Sequence, residues 1–551
     1  MNNKELADIL FPDVSESVEN LEKRFPDRGL PKGAIVTRLG PSPTGFIHLG
    51  NLYGAFVDER LAHQSGGTFY LRIEDTDDKR YVEGAVENII KSLAFFNIGF
   101  DEGATAKGER GEYGPYTQSQ RKDIYRAVAK RLVANGDAYP CFLSEEEIED
   151  IRKNQETGKL TPGIYGDFSP WRNKSVENVK AAIADGDPYV LRLRSDGSED
   201  GERIAIEDGV RGRIEMPENF QDIVLLKTTG IPTYHFAHVV DDHLMRTTHV
   251  VRGEEWLSSL PVHYELFRKM GWEMPIYCHT AQLMKLDENG KKRKLSKRND
   301  PELSLEYYRN EGYHPDAVRE YLITVLNSNF EEWRAQNNNS AIDEFVFSME
   351  KMSSSGTLFD LDKLRDISKT VLLNKSVGNL YDFLKDWCEN YMPYKSFMFE
   401  DRQYMEKILD IGRHDRKPRK DLIYAKQIVE FISYFFDETF VIEDEKPAEV
   451  PNADVTAILE AYELSYDHDD DQSEWFSKIR AVSVEMGYAA KPKDYKKNPN
   501  YYKGHVGHVS AVIRLAITGR SQSPDVWAIQ QILGKDRTLA RVAAYKNRTV
   551  W

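Results

Sequence analysis

The sequence is poor in cysteine and has no long apolar run. Its 551 residues include three cysteines, Cys141, Cys278 and Cys388, too few and too scattered for a disulfide framework or a four-thiolate metal site. No window approaches the ~18–20 apolar residues that a membrane helix needs. Residues 1–32 contain no apolar run of the length found in signal peptides. We therefore expect a cytoplasmic protein without a membrane segment, whose thiols stay reduced.

The chain also lacks an excess of positive charge. Its formal net charge is −16, which argues against a nucleic-acid partner if taken alone, because phosphate backbones are bound by lysine and arginine. The distribution of charge matters more than the sum. Basic runs occur at Lys291–Arg298, Arg413–Lys420 and Lys491–Lys503, and each is equally compatible with a solvated surface. The net charge therefore excludes no class of partner.

The first part of the chain alternates strands and helices. Ala34–Leu39 is a short, partly β-branched apolar run that predicts a buried strand, and Phe69–Ile73 predicts a second. Apolar residues between Val82 and Leu93 recur at helical spacing and predict an amphipathic helix. Alternation of this kind indicates an α/β fold with a parallel sheet.

The alternation is interrupted once. It loosens between residues 116 and 220 and resumes with strands predicted at Ile223–Leu226 and His249–Arg252. An insertion that divides one sheet into two halves explains this most simply. From about Leu303 onward the chain is predicted to be mostly helical. The length of the whole chain suggests roughly three to four domains.

Three loops carry residues suited to chemistry, and we expect each to follow a strand of the parallel sheet, where ligands bind in such folds. Arg38–Asn51 is rich in small and rigid residues and precedes a helix N-terminus able to bind phosphate. Its His48 could also be a satisfied structural histidine. Lys291–Arg298 has six cations in eight residues and predicts a mobile loop that stabilises charge on a phosphate chain. Such basic runs also occur in ordinary surface loops.

The third loop, Tyr234–Trp256, concentrates charge among apolar residues. Buried carboxylates and arginines are costly without partners, so a cluster of them beside strands favours a ligand site over a plain core. The charged residues are Asp241, Asp242, Arg252, Glu254 and Glu255.

Together these motifs resemble class I aminoacyl-tRNA synthetases, specifically the bacterial-type glutamyl-tRNA synthetases. His48–Asn51, read HLGN, is similar to the first class I motif (HIGH), and Lys294–Arg298, read KLSKR, is similar to the second (KMSKS). The glutamyl subgroup is indicated by Arg38 with PSPTG, by LRIEDTD at 71–77, by YHFAHVVDDHLM at 234–245 and by VVRGEEW at 250–256. The resemblance extends to LGKDR at 533–537 and covers most of the chain.

The resemblance implies a domain plan. A Rossmann-like catalytic domain at 33–115 and 221–272 would be split by an acceptor-binding α+β insertion at 116–220. A stem-contact region with the KLSKR loop would follow at 273–345, and an all-α anticodon-binding region at 346–551. Residues 1–32 would form an N-terminal extension, read as a short helix and tether.

It also implies which residues act. The side-chain carboxylate of glutamate would pair with Arg38 through two parallel hydrogen bonds, its α-amino group would meet Ser42 and Glu74, and its α-carboxylate would meet Arg252. The implied glutamate-binding residues are Arg38, Ser42, Glu74, Tyr234, His238 and Arg252. The implied ATP-binding residues are His48, Gly50, Glu255, Lys294, Leu295, Ser296, Lys297 and Arg298, with His48, Lys294 and Lys297 also catalytic.

The implied partners are L-glutamate, ATP and tRNA-Glu, with magnesium accompanying ATP and the enzyme acting as a monomer. Two positions depart from the family pattern. His238 stands where relatives often carry asparagine, and Cys141 has no second thiol nearby, so we expect no zinc. No anticodon-reading residue is transferred, because the residues after Leu364 differ from the usual stretch. Whether tRNA-Gln is also charged stays open.

Three other readings compete. A glutamyl transferase that modifies a tRNA base would lack an anticodon-binding region, which residues 361–551 resemble. A glutamine–tRNA ligase is disfavoured by the IEDTD motif and by the helical C-terminal half. A catalytically inactive tRNA-binding protein would be expected to lose motif residues, yet His48, Lys297 and Arg38 are all present.

Overall fold

The computed structural model describes residues 2–43, 47–77 and 82–548. Thr44 and Gly45 of the PSPTG motif lie outside these residues. The chain forms two compact units, the first comprising Met1–Tyr307 and Arg319–Asp360, the second Tyr308–Val318 and Leu361–Trp551. In the part of the chain that the structure describes, no helix has the length and apolar character needed to span a membrane.

The first unit contains strands and helices. Its strands are β1 Val36–Leu39, β2 Thr68–Leu71, β3 Glu102–Thr105, β4 Gly108–Arg110, β5 Ala138–Cys141, β6 Val190–Leu193, β7 Arg203–Asp208, β8 Gly212–Pro217, β9 Val224–Leu226, β10 His249–Gly253, β11 Ile276–Thr280, β12 Leu283–Leu286, β13 Lys292–Lys294 and β14 Thr357–Leu358. Its helices are α1 Asn3–Leu10, α2 Val18–Arg24, α3 Leu49–Gln64, α4 Ala85–Phe95, α5 Lys122–Asn135, α6 Glu145–Gly158, α7 Val176–Ala184, α8 Tyr234–Leu244, α9 Leu260–Met270 and α12 Phe330–Gln336. Helices α10 Leu305–Glu311 and α11 Pro315–Leu326 are each divided between the two units.

The predicted parallel sheet is present in two halves. Strand β1 pairs in parallel with β2, and β2 with β3, while β10 pairs in parallel with β11. The halves lie side by side, because the N–H of Thr248 donates to the carbonyl of Val36 at 3.0 Å. The carboxyl ends of β1 and β10 therefore meet at one edge of the sheet, where their loops begin. The α/β architecture expected from the sequence is confirmed.

The strands around the insertion differ from the prediction. Strand β9, expected to resume the parallel sheet, instead pairs antiparallel with β6, which pairs antiparallel with β5. The β7–β8 hairpin, expected to belong to the insertion, extends the second half-sheet through the Asp208–Tyr277 pairing of β7 with β11. Apolar content alone cannot reveal which partner a short strand takes, since both environments bury it.

Residues 1–32 are more than a tether. Helices α1 and α2 bury Leu6, Leu10 and Leu21 in the same apolar cluster as α5. Ion pairs add to this packing, including a Glu22 carboxylate that accepts from Arg246 at 2.7 Å. The short-helix part of the prediction holds, whereas the tether does not, because amphipathic helices with buried leucines pack against the body.

The second unit is helical apart from its loops. Its helices are α13 Leu361–Asn374, α14 Val377–Tyr391, α15 Arg402–Asp410, α16 Ala425–Phe431, α17 Asn452–Ser465, α18 Gln472–Glu485, α19 Pro492–Lys497, α20 Val506–Thr518, α21 Val526–Leu533 and α22 Lys535–Lys546. They enclose one apolar core that includes Trp387, Leu459 and Ile513. Side chains at the helix starts satisfy free N–H groups, as where Asp471 accepts from Glu474 N at 2.8 Å.

Candidate active site

A cleft of about 480 Å³ opens at the edge of the sheet where β1 and β10 end. This volume is in the range of sites for small molecules. Of the predicted site residues, the cleft brings together Arg38, Ser42, His48, Gly50, Glu74, Tyr234, Arg252, Glu255, Lys294 and Leu295. A smaller adjoining cleft shares Ser42 and His48 with it and adds Lys297.

Two arginines below the cleft share one buried carboxylate. The Asp242 Oδ1 atom lies 3.2 Å from Arg38 Nε and 2.6 Å from Arg72 Nη1, and all three residues are buried. Burial raises the pKa of Asp242, but the charges of Arg38 and Arg72 outweigh burial and lower it overall. The carboxylate is therefore ionised and fixes Arg38 by its Nε atom. Arg38 lines the cleft, and its Nη1 donates to the Val251 carbonyl at 3.5 Å.

The second carboxylate of this helix faces away from the cleft. Asp241 in α8 accepts from Arg121 Nε at 2.7 Å, Gln118 Nε2 at 2.9 Å and the Tyr125 hydroxyl at 2.8 Å. Its fully buried charge is thus paired and hydrogen-bonded, as burial requires. Asp241 fixes α8 against α5 and takes no part in the wall of the cleft.

Glu74 is placed by Arg72 and by a glycine. Its Oε1 accepts from Arg72 Nη2 at 2.9 Å, and its burial raises its pKa against the opposing effect of Arg72 and Arg38. A Cβ atom at Gly40 would overlap the Glu74 carboxylate. Glycine at position 40 is therefore what lets the carboxylate reach the cleft.

Arg252, at the end of β10, has an unused nitrogen. Its Nη1 donates to the Tyr234 hydroxyl at 3.3 Å, and its Nε donates to His279 Nε2 at 2.9 Å. Its Nη2 is buried and has no hydrogen-bond partner among the residues that the structure describes. A buried donor without a partner is costly. An anionic ligand group in the cleft would supply that partner.

His238 is placed behind the cleft rather than on its wall. Its ring is fully buried, with Nε2 2.9 Å from the Tyr277 hydroxyl and 3.2 Å from Asp242 Oδ2. Burial and the nearby Arg38 and Arg252 lower its pKa well below the ordinary value, so the ring is neutral. The sequence predicted that His238 contacts the substrate directly. The structure instead places its ring behind the side chains that line the cleft. The ring instead supports Asp242 and Tyr277.

His48 stands at the start of α3 in extended backbone, with its N–H donating to Asn51 Oδ1 at 3.1 Å. Burial lowers its pKa, and the positive charge of Lys297 lowers it further. The imidazole is thus neutral at physiological pH and can donate one hydrogen bond. A Cβ atom at Gly50 would lie 3.0 Å from the His48 ring, so glycine there gives the ring its space.

The KLSKR segment begins at the end of a strand in an antiparallel hairpin. The sequence had predicted that it follows a strand of the parallel sheet. Lys294 ends β13, which pairs antiparallel with β12 in a separate small sheet. Buried Asp300 holds the turn that follows, accepting from both terminal nitrogens of Arg293 at 2.6 and 2.7 Å and from Ser296 N at 2.8 Å. The loop therefore has a defined anchor.

The motif residues spread over the two clefts. Lys294 and Leu295 line the main cleft and Lys297 lines the smaller one. Ser296 is part of the anchored turn, and Arg298 is exposed and lines neither cleft. Two cations therefore flank His48 from different sides, as would suit a chain of phosphates.

The far side of the cleft is formed after β10 and β11. Glu255 Oε2 accepts from Gln282 Nε2 at 3.1 Å, and both side chains line the cleft. A Cβ atom at Gly253 would overlap the Glu255 carboxylate. The Trp256 ring lies 4.7 Å from that of Tyr234 and closes this wall.

Sequence reasoning missed the residues that hold the site from behind. Asp300 could have been suspected, because it lies two positions after the last residue of the basic motif. Asp208 and His279 carried no such signal, since they lie 71 positions apart and meet only through the fold. Arg72 stood inside a recognised motif, yet its role as a bridge between Asp242 and Glu74 required the structure.

Comparison with known proteins adds independent findings. Residues 34–366 match the family model described as tRNA synthetases class I (E and Q), catalytic domain, and residues 500–546 match an anticodon binding domain. The chain is 61% identical to the glutamate–tRNA ligase of Acetivibrio thermocellus over 98% of this chain and 99% of that protein. It is 45% identical to the one from Clostridium perfringens over 98% and 100%.

A solved structure has the same fold. A glutamate tRNA ligase from Elizabethkingia meningosepticum, crystallised in complex with its amino acid, superposes with a TM-score of 0.74 at 27% identity. The similarity covers 93% of this chain and 99% of that one. The likeness therefore extends over both units rather than over the catalytic half alone.

Proposed function

Because the chain belongs to the glutamate–tRNA ligases, a family of class I aminoacyl-tRNA synthetases, we propose that its cleft performs both steps of that reaction. The enzyme is an ATP-dependent ligase. A carboxylate oxygen of L-glutamate attacks the α-phosphorus of ATP, which forms glutamyl-adenylate and releases pyrophosphate. A terminal ribose hydroxyl of tRNA then attacks the activated carbonyl, forming the ester, releasing AMP and giving up its proton.

The observation that supports this assignment most is a single cleft with two chemically different ends. One end presents Arg38, Arg252 and the Tyr234 hydroxyl, which suit the two carboxylates of glutamate. The other presents His48 and Lys294, which suit phosphate oxygens. A ligand with two carboxylates beside a polyphosphate fits this arrangement.

We propose a division of labour within the cleft. Arg38 pairs with the side-chain carboxylate in two parallel hydrogen bonds, while the unused Nη2 of Arg252 binds the α-carboxylate. Glu74, with Ser42, receives the α-amino group. Placing both carboxylates at once would orient the α-carboxylate for in-line attack, and such positioning supplies most of the catalysis in phosphoryl and nucleotidyl transfer. No protein nucleophile is needed.

The phosphate end acts through charge. Neutral His48 donates a hydrogen bond to a phosphate oxygen, and Lys294 and Lys297 balance the charge that develops as pyrophosphate leaves. Preorganised cations in a cleft that excludes water can contribute several kcal/mol to such a step. Gly50 leaves room for the phosphates, and Glu255, with the backbone beside it, faces the nucleoside.

Magnesium, in this proposal, arrives with ATP. Among the described residues no group of three or more His, Cys, Asp or Glu side chains is arranged to hold a metal ion. The phosphates and water supply most ligands to magnesium in many such sites. The proposal names no protein ligand for magnesium.

Pyrophosphate exchange tests the assignment. Purified protein should exchange labelled pyrophosphate into ATP when L-glutamate and tRNA-Glu are both supplied, and L-glutamine should not replace glutamate. Lys297→Ala should reduce exchange severely while leaving the fold intact by circular dichroism. Absence of glutamate-dependent exchange in the unaltered enzyme would refute the assignment, and full activity of Lys297→Ala would refute the role of that lysine.

The choice of tRNA and the assembly are separate proposals. We propose that the acceptor is tRNA-Glu and that the enzyme is a cytoplasmic monomer. Its three cysteine thiols are free and buried. Aminoacylation of purified tRNA-Glu and tRNA-Gln side by side decides whether both are charged. Sedimentation at micromolar concentration should give the mass of one 63.5 kDa chain.

A further inference from the structure

Arg252 is held from behind by a row of buried rings. Its Nε donates to His279 Nε2 at 2.9 Å and its Nη1 lies 3.3 Å from His263 Nδ1. Its guanidinium carbon also lies 4.5 Å from the centre of the Tyr277 ring. These contacts fix the plane of the guanidinium and, with it, the direction in which the unused Nη2 points.

The His279 ring is itself oriented by a carboxylate. Its Nδ1 lies 2.6 Å from Asp208 Oδ2, and both side chains are buried. A neutral imidazole donates from one nitrogen and accepts at the other. Asp208 therefore keeps the proton on Nδ1 and leaves the Nε2 lone pair for Arg252. Burial lowers the pKa of His279 against the opposing hydrogen bond to Asp208, so the ring is neutral.

Asp208 reaches this place from the β7–β8 hairpin. It is the last residue of β7, and its Oδ1 accepts from Val210 N and Arg211 N at 2.9 Å, which closes the turn. Arg211 then donates from Nε to the His279 carbonyl at 3.1 Å and pairs with Glu254. In the chain, this hairpin lies between β6 and β9 of the inserted sheet.

We propose that Asp208 and His279 are positioning residues, which aim Arg252 at the α-carboxylate of glutamate by fixing its Nε. The inference rests on the proposed function, in which Arg252 binds that carboxylate. It makes the tip of the hairpin part of the amino-acid site, although the hairpin touches no substrate. The carboxylate, imidazole and guanidinium form one chain of hydrogen bonds in which each group sets the orientation of the next.

Replacing Asp208 by asparagine tests the chain at its first link. Both carboxylate oxygens of Asp208 accept from N–H donors, Oδ1 from the turn and Oδ2 from His279. An asparagine must turn its amide nitrogen toward one of these donors. If the nitrogen faces the imidazole, the tautomer reverses and an N–H points at the Arg252 Nε–H. Arg252 would then turn away from the imidazole. In metal and catalytic sites, the groups behind a ligand-binding residue set its orientation in the same way.

The expected result is a KM effect confined to one substrate. Asp208→Asn and His279→Ala should each raise the KM for glutamate about tenfold or more, the scale of one lost charge-assisted hydrogen bond. The KM for ATP should stay within about twofold. The matched control is Glu207→Gln, which removes an exposed carboxylate from the same strand and should leave both KM values unchanged.

The double variant gives the sharper readout. If Asp208 acts only through His279, then Asp208→Asn combined with His279→Ala should be no worse than His279→Ala alone, whereas independent effects would multiply. Multiplied effects, equal rises in both KM values, or a glutamate KM unchanged in a folded His279→Ala variant would overturn the proposal. Should Asp208→Asn fold poorly, the His279→Ala result decides alone. Loss of exchange in the unaltered enzyme would instead refute the proposed function, and this inference with it.

Discussion

Arg38→Lys is the substitution that examines glutamate recognition most directly. In the structure, the Arg38 Nε is committed to Asp242 at 3.2 Å, and Nη1 reaches the Val251 carbonyl only at 3.5 Å. The two terminal nitrogens are thus available to a carboxylate as a planar fork. Lysine keeps the charge but offers a single ammonium group, and it leaves Asp242 with one partner fewer.

The magnitude follows from the hydrogen bonds lost. A hydrogen bond to a charged group contributes about 1.5–3 kcal/mol, so losing one of the two should raise the KM for glutamate roughly 10- to 150-fold. ATP does not contact this end of the cleft in the proposed arrangement, so its KM should change little. Discrimination against glutamine should fall as well, because the fork recognises a carboxylate by charge and shape.

The assay is pyrophosphate exchange with saturating tRNA-Glu and each substrate varied in turn. Arg213→Lys is a matched control, because Arg213 lies exposed on β8 and the same chemical change there should leave the kinetics unaltered. A glutamate KM within twofold of the unaltered enzyme would refute the assignment of Arg38. A parallel rise in the KM for ATP would indicate instead that the cleft had lost its shape.

Three further outcomes are expected. Gly40→Ala should push the Glu74 carboxylate from its position and raise the KM for glutamate at least severalfold. Gly99→Ala is the control, because an added methyl group there meets no neighbour, and it should leave the KM unchanged. The same KM for glutamate in both variants would contradict the prediction. Burial raises the pKa of Asp58 well above its ordinary value, so its carboxyl opposes folding once pH exceeds the unfolded pKa of about 4. Asp58→Asn should therefore raise the melting temperature by a few degrees at pH 8, and this gain should shrink toward pH 4. A gain that does not depend on pH would refute the prediction. Changing the exposed lysine pair 496–497 to glutamate should raise the KM for tRNA severalfold at 0.1 M salt without changing kcat. The slope of log KM for tRNA against log salt concentration should also fall by more than one unit. An unchanged KM for tRNA would show that tRNA does not contact these two lysines.

Much of the candidate site follows from local sequence. Arg38 and Arg252 lie near the ends of short apolar runs, and parallel strands bring such ends to one edge of a sheet. Tyr234 was predicted in a loop, whereas the structure places it at the start of helix α8. The HLGN and KLSKR motifs likewise contain His48 and Lys294, which line the same cleft. These residues could be predicted because each depends on its own segment and on one general property of parallel sheets.

The remainder depended on partners that no local pattern specifies. Strand β9 has the same apolar character in either sheet, so its pairing with β6 could not be read from periodicity. Residue Val82 continued the helical spacing of α4, but Gly84 has a φ of 77° and α4 begins at Ala85. Such a left-handed glycine separates the segment before it from the helix. His238 looked like a substrate contact from the family pattern, yet its depth depends on Tyr277, 39 positions later.

The path of the chain through the β7–β8 hairpin has a consequence for taking the enzyme apart. Removing residues 116–220 as a cassette and joining the flanks would take two strands out of the second half-sheet and leave β9 without β6. It would also take Asp208 away from His279. A minimal catalytic fragment should therefore keep the hairpin and shorten only what lies on either side of it. Any transplant of residues 116–220 between relatives would also exchange Asp208, the partner of His279.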